Sequence, residues 1–219
     1  MKNNQKMNMI YTAIFWGALW GISEAIIGYI LHLFTFIPGI AAIVMFPIAY
    51  YFIRKVYFDT GRIWTIFLTA GITAAIKLTD LFLPFLRPIK TINPAISILI
   101  EAIVVAALFT FAYKKGIGKS ISFSHSLIIS LSWRILYILI SIPIFLLFMD
   151  GYLKNGPLSI VRFLTLDSVI NCGIIFLFSK INVLKKSEWS YNNIIKFRPI
   201  YAAFAFISAL GIEQFLIRL

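Results

Sequence analysis

The stretch IYTAIFWGALWGISEAIIGYILHL, Ile10–Leu33, decides the fold. It runs about 24 residues, and a helix needs about 20 mostly apolar residues to cross the hydrocarbon layer of a bilayer. Its only carboxylate is Glu24, and His32 stands at its far end. The preceding Met1-Lys2-Asn3-Asn4-Gln5-Lys6 resembles the basic start of a secretory signal. The apolar run is too long for one, contains Glu24 and lacks an Ala-x-Ala cleavage site, so a retained first span is expected. Further apolar runs follow at Ile37–Ile53, Ile63–Leu83, Asn93–Tyr113, Ser124–Phe148, Leu158–Ser179 and Pro199–Ile217. Backbone groups in lipid must find hydrogen bonds within their own segment, so each run is expected to be a helix.

Composition points the same way. Of 219 residues, 61% are apolar and 13% charged, and mean hydropathy is +0.93. A soluble domain is about 45–50% apolar and about 25% charged. A soluble globule, a disordered chain and a disulfide scaffold are excluded. Cys172, the single cysteine, lies in an apolar run and reads as a small core residue. No linker divides the chain. The expectation is a single integral membrane domain over residues 1–219: an all-α polytopic helix bundle of six or seven crossings in the cell membrane. The second run is short, about 17 residues, and a tight hairpin or a re-entrant piece both fit it.

Basic residues set the orientation. With the N-terminus in the cytoplasm and seven crossings, thirteen Lys and Arg fall on the inner side and four (Arg87, Lys90, Lys154 and Arg218) on the outer. Cytoplasmic loops carry the basic excess, which gives N-in and C-out. The net charge of +12 is thus a topology signal. No basic stripe or stacked-aromatic module points to nucleic acid.

Ionised side chains at the bilayer centre cost about 2.5–3.5 kcal/mol each. Glu24, Lys77, Asp80, Glu101, Arg134 and Asp167 nevertheless lie inside spans, with Arg162 and Glu213 nearer span ends. In the N-in orientation Glu24, Lys77, Asp80, Asn93, Glu101, Arg162, Asp167 and Asn171 all belong to outer halves, while Arg134 is near mid-depth. Trp16, Trp20, Glu24, Gly28 and His32 recur every four residues and share one helix face. Lys77 and Asp80, three apart, can pair. These residues predict a polar pocket open to the outside and closed below by apolar packing. Trp20, Glu24, Lys77, Asp80, Asn93, Glu101, Arg134, Arg162, Asp167 and Asn171 are its expected substrate-binding residues, with Trp16 and Trp20 as an aromatic floor. The competing possibility is an ion-pair network that only fixes helix register.

Other motifs carry less. His32 and His125 read as interfacial residues. No His-x-x-x-His or Glu-x-x-His pair occurs, so no metal or other cofactor is expected. No P-loop, nucleotide fingerprint or Gly-x-Ser-x-Gly is present, and no enzymatic activity is expected. The connector Leu83-Pro84-Phe85-Leu86-Arg87-Pro88-Ile89-Lys90-Thr91-Ile92-Asn93-Pro94 is stiffened by three prolines. It reads as a rigid turn or a rim with Arg87 and Lys90 at the pocket mouth, and Asn93-Pro94 as the start of the next helix.

Ala13, Gly17, Gly21 and Ala25, each four apart, form a small-residue ribbon about 100° away from the Trp–Glu stripe. Such ribbons admit a second helix closely, either another span of the same chain or a separate subunit. In size, apolar helices, outward pocket and this ribbon, the chain resembles the substrate-binding (S) components of energy-coupling factor transporters. In that family an Ala-rich ribbon on the first helix docks a transmembrane coupling subunit that works with ATPases. The resemblance implies docking through Ala13, Gly17 and Gly21, and capture of a vitamin-like solute. The usual pattern is six helices, and the seventh span departs from it.

The expected function is a solute-binding membrane component for uptake of a small polar or zwitterionic molecule, energised by a separate partner. An autonomous proton- or ion-coupled transporter is the alternative, with Glu24 or Glu101 taking the proton. An intramembrane enzyme on a lipid-linked substrate is a third.

Overall fold

The computed structural model describes residues 2–33, 39–83, 88–114, 121–148, 152–184 and 199–218. Arg87, Lys115, Lys119, Lys185, Lys186, Lys196 and Arg198, and the side chains of Lys2, His32 and Lys114, lie outside the described residues. Among those described every regular element is helical: α1 (Lys2–His32), α2 (Ile40–Thr60), α3 (Ile63–Leu78), α4 (Pro88–Lys114), α5 (Phe123–Phe148), α6 (Pro157–Leu164), α7 (Leu166–Leu184) and α8 (Pro199–Leu216). Short 3-10 turns at Thr79–Phe82 and Tyr152–Asn155 extend α3 and precede α6. With α6 and α7 counted as a single span, seven helices among the described residues are long and apolar enough to cross a membrane. The chain is a polytopic all-α bundle, the architecture of a multi-pass membrane protein. Ile26, Tyr51, Phe67, Leu99, Leu139, Leu177 and Phe204 stay exposed, one from each span, as a lipid-facing surface requires.

Three boundaries differ from the sequence expectation. The second span is full length, 21 residues, rather than short. It carries its two basic residues inside the helix: Arg54 lies 5.1 Å from the Phe58 ring centre, and Lys55 stands 3.6 Å from Asp59. Aromatic and ionic partners one turn on let the helix continue past Ile53. Gly61 then ends it in the left-handed conformation (φ 65°), its N–H donating to Tyr57 O at 2.7 Å. The fourth span starts at Pro88, not at Asn93, and Pro94 lies within it. Proline suits a first turn because its missing N–H would have no partner there. The sixth span is broken at Thr165, which separates α6 from α7.

The first helix packs against α2, α3 and α8. Its ribbon meets α3 so closely that a Cβ on Gly17 would stand 2.8 Å from the backbone oxygen of Thr69. A Cβ on Gly21 would meet Ile76 Cδ1 at 3.0 Å. Two threonines use the closeness. Thr73 Oγ1 donates to Gly17 O at 2.9 Å, and Thr69 Oγ1 donates to Ala13 O at 3.3 Å. Helix α8 packs along another side of α1 through Ala18, Ala205 and Ala209. The ribbon of Ala13, Gly17 and Gly21 is therefore filled by the chain's own α3. That corrects its expected use as a docking surface, because buried glycines already in backbone contact offer nothing to a separate subunit.

Gly17→Ala is expected to destabilise the bundle by about 1–3 kcal/mol, the usual cost of overpacking a close contact. At Gly211, where no described residue lies within 4 Å of an added Cβ, alanine should change stability by less than about 0.5 kcal/mol. Thermal unfolding of both variants in the same detergent checks the contrast.

Candidate solute-binding site

A cavity of about 660 Å³ opens where the end of α1, the start of α2, the end of α3, the start of α4 and the end of α8 converge. Binding pockets for small molecules span about 300–1,000 Å³. These helix ends all lie on the side that the basic-residue count assigns to the exterior.

Five ionisable side chains line the cavity from inside the bundle: Glu24, Lys77, Asp80, Glu101 and Glu213. Lys90 and Asn93 also line it, and Lys90 is exposed. Glu24 and Gly28 project into it from α1, as the four-residue stripe predicts. Trp20, fully buried, lies one turn below Glu24 and donates Nε1–H to Glu24 Oε1 at 3.0 Å. It lies beneath Glu24 and does not itself line the cavity. Trp16 is not part of the expected floor: its indole N–H donates at 2.9 Å to Asp59 near the other end of the bundle. On α4, Ser97 donates to Glu101 Oε1 at 3.2 Å. Glu101 and Glu24 line the same cavity.

The second group is an ion cluster. Lys77 Nζ stands 3.1 Å from Asp80 Oδ2 and donates to Glu213 Oε1. Gln214 Nε2 donates to Thr79 Oγ1 at 3.0 Å and to Asp80 Oδ1 at 3.3 Å. The pairing of Lys77 with Asp80 follows from their spacing. Glu213 does not, since it belongs to a helix 136 positions further on. Its α-helical register gives its face only once a partner helix is known.

Arg134, Arg162, Asp167 and Asn171 are not brought to the cavity wall. Arg134 is fully buried, with its guanidinium carbon 4.9 Å from the ring centres of both Trp133 and Phe163. Those two rings, not the guanidinium, line the cavity. Arg134 also donates from Nη1 to Ser130 Oγ at 3.0 Å, and its charge reaches both Glu101 and Asp167. The break at Thr165 turns α6 against α7, which brings Arg162 Nε to 3.6 Å from Asp167 Oδ1. Asn171 Nδ2 donates to Ala42 O at 3.3 Å and ties α7 to α2. Ser130 Oγ donates to Ser168 O at 2.9 Å and ties α5 to α7. This second polar cluster braces an aromatic wall, in which Trp133 stacks on Tyr137 at 5.8 Å and on Phe46 at 4.8 Å. The wall of Trp133, Tyr137 and Phe163 is the part of the site that sequence reasoning missed. Ordinary aromatic residues in apolar helices carry no signal of which way they face.

No protein-family model, no curated protein and no solved structure matches this chain. What the site can do rests on its geometry. It offers carboxylates, aromatic rings and a lysine held between two acids. Among the described residues no group of three or more His, Cys, Asp or Glu is arranged to hold a metal ion.

The ion cluster serves stability as well as charge. Lys77→Met leaves Asp80 and Glu213 without their cation and should cost about 1.5–3 kcal/mol, the worth of hydrogen bonds to charged groups. The triple variant Lys77→Met, Asp80→Asn, Glu213→Gln should recover most of that loss, since a buried ion cluster can be exchanged for neutral groups at little net cost. Thermal unfolding of the two variants measures the difference.

Proposed function

We propose that the chain is a solute-binding membrane component for uptake, seated in the cell membrane with its cavity facing out. It would take up a small polar molecule and pass it inward with a separate energising partner. The observation that carries this proposal is the convergence of Glu24, Lys77, Asp80, Glu101 and Glu213, from four different helices, on one cavity at one end of the bundle. Ionisable groups inside a membrane span mark solute or ion paths unless they are paired off. Here Glu24 and Glu101 face open volume rather than a basic partner.

The other half of the bundle supports capture rather than unaided passage. Beneath the cavity lie Trp20, Phe46, Ala49, Tyr50, Ile53 and Val56, all fully buried. Further along, Tyr57 stacks on Phe109 at 4.8 Å. An alternating-access carrier needs polar groups on both sides of its gate. The layer directly beneath the cavity is apolar, and the Arg54, Lys55 and Asp59 groups beyond it contact Phe58, Trp16 and one another. The role resembles that of the S components of energy-coupling factor transporters, although the α1 ribbon is occupied by α3 and a coupling subunit would have to meet a different face.

A cavity plug tests the proposal. Gly28 lines the cavity, and among the described residues the only atom near an added Cβ is the flexible Met45 Cε at 3.4 Å. The purified full chain in nanodiscs, equilibrated with a small-molecule extract of its own cells, should retain at least one solute by mass spectrometry. Gly28→Phe should retain none of it while unfolding at a similar temperature. Equal retention by both proteins would count against a cavity site, and solute transport by the purified chain alone in liposomes would favour an autonomous carrier.

A further inference from the structure

The charges around the cavity do not balance. Glu24, Asp80, Glu101 and Glu213 line it, against Lys77 and Lys90. Lys77 is already held by Asp80 and Glu213, and Lys90 sits exposed at the start of α4. Among the described residues neither Glu24 nor Glu101 has a basic side chain within ion-pair distance. Among the described residues their hydrogen-bond donors are neutral: the Trp20 indole for Glu24 and the Ser97 hydroxyl for Glu101. Glu101 is 2% exposed, and its Oε2 has no hydrogen-bond partner. That oxygen is sealed from solvent, and two glutamates that line one cavity with only neutral donors favour a ligand that brings a positively charged donor.

The aromatic part of the lining has the matching chemistry. Trp133, Tyr137 and Phe163 present aromatic rings to the same volume, and they stack and tilt against one another at 5.6–6.0 Å. Aromatic faces hold flat apolar bodies and attract cations through the negative potential above the ring. An anionic group would find Lys77 already engaged and would have to displace Asp80 or Glu213 to reach it.

We infer that the solute is an organic cation, with a protonated amine set between Glu24 and Glu101 and an apolar or ring-bearing body against Trp133, Tyr137 and Phe163. This rests on the solute-binding role proposed above and narrows it from polar or zwitterionic molecules to amines. The carboxylates give the charge preference, and the rings give the shape preference.

Four probes of one shape separate charge from ring contact: phenethylamine (cation), phenylalanine (zwitterion), 2-phenylethanol (neutral) and 3-phenylpropionate (anion). Each is titrated against the full chain in nanodiscs, with tryptophan fluorescence and the unfolding temperature as readouts. Phenethylamine should bind best, phenylalanine more weakly, and 3-phenylpropionate least. Glu101→Gln and Glu24→Gln should each weaken phenethylamine about tenfold or more, the loss expected for one charge-assisted hydrogen bond. Lys154→Gln, on an exposed turn, should leave binding unchanged. If one glutamate variant fails to fold, the other carries the comparison. Tighter binding of the neutral or anionic probe, or phenethylamine binding that survives in both glutamate variants, overturns the cation assignment and leaves the solute-binding role standing. Failure of all four probes to bind also overturns it. The solute-binding role falls with it only if the cell extract likewise yields nothing beyond the Gly28→Phe blank.

Discussion

A carboxylate inside a membrane span must find water, a donor or a cation, because hydrocarbon supplies none of these. That constraint organises the bundle. Glu24 on α1, Asp80 at the end of α3, Glu101 on α4 and Glu213 on α8 cannot each face lipid, so their helices are oriented to bring them to one volume. Lys77 then links α3 to α8 by bridging Asp80 and Glu213, and Gln214 repeats the link through Thr79 and Asp80. The close approach of α1 and α3 at Gly17 sets the spacing on the other side. Site and scaffold are built from the same residues.

The polar groups separate into two clusters with different jobs. Around the cavity, Glu24 and Glu101 keep neutral donors and open volume. Behind the aromatic wall, Arg134, Arg162, Asp167 and Asn171 hold α5, α6, α7 and α2 together through short-range pairs and backbone contacts. An ion-pair network that fixes helix register and a solute site are therefore not competing descriptions of one set of residues. The first applies to the cluster behind Trp133 and Phe163 and to Lys77 with Asp80 and Glu213, and the proposed site draws on Glu24 and Glu101 beside them.

Much of this was legible in the amino-acid sequence. Apolar run length locates the seven spans, since thickness of the hydrocarbon layer is a one-dimensional constraint. Four-residue spacing on α1 separates the Glu24–Gly28 face from the Gly17–Gly21 face, because helical register is local. Depth was legible too, and it places Glu24, Lys77, Asp80 and Glu101 at one level. What sequence lacks is azimuth between helices. Arg134 sits one residue from Trp133, about 100° around the helix, and only the neighbours decide which of the two faces the cavity. Arg162 and Asp167 meet because the chain breaks at Thr165, a break that no Pro or Gly announces. Glu213 joins Lys77 from a distant helix, and nothing local points to that partner.

Water access to the cavity from the exterior is the claim that most needs a direct measurement. Ser97 lines the cavity, and the native Cys172 is fully buried and can be replaced by serine. In intact cells, Ser97→Cys should react with an externally added, membrane-impermeant cationic thiosulfonate, and faster than with its anionic counterpart. Ala106→Cys, on the buried stretch of α4 below, should not react. A Ser97→Cys protein that stays unlabelled from outside, or that labels only when the reagent is admitted to the cytoplasmic side, would contradict the account.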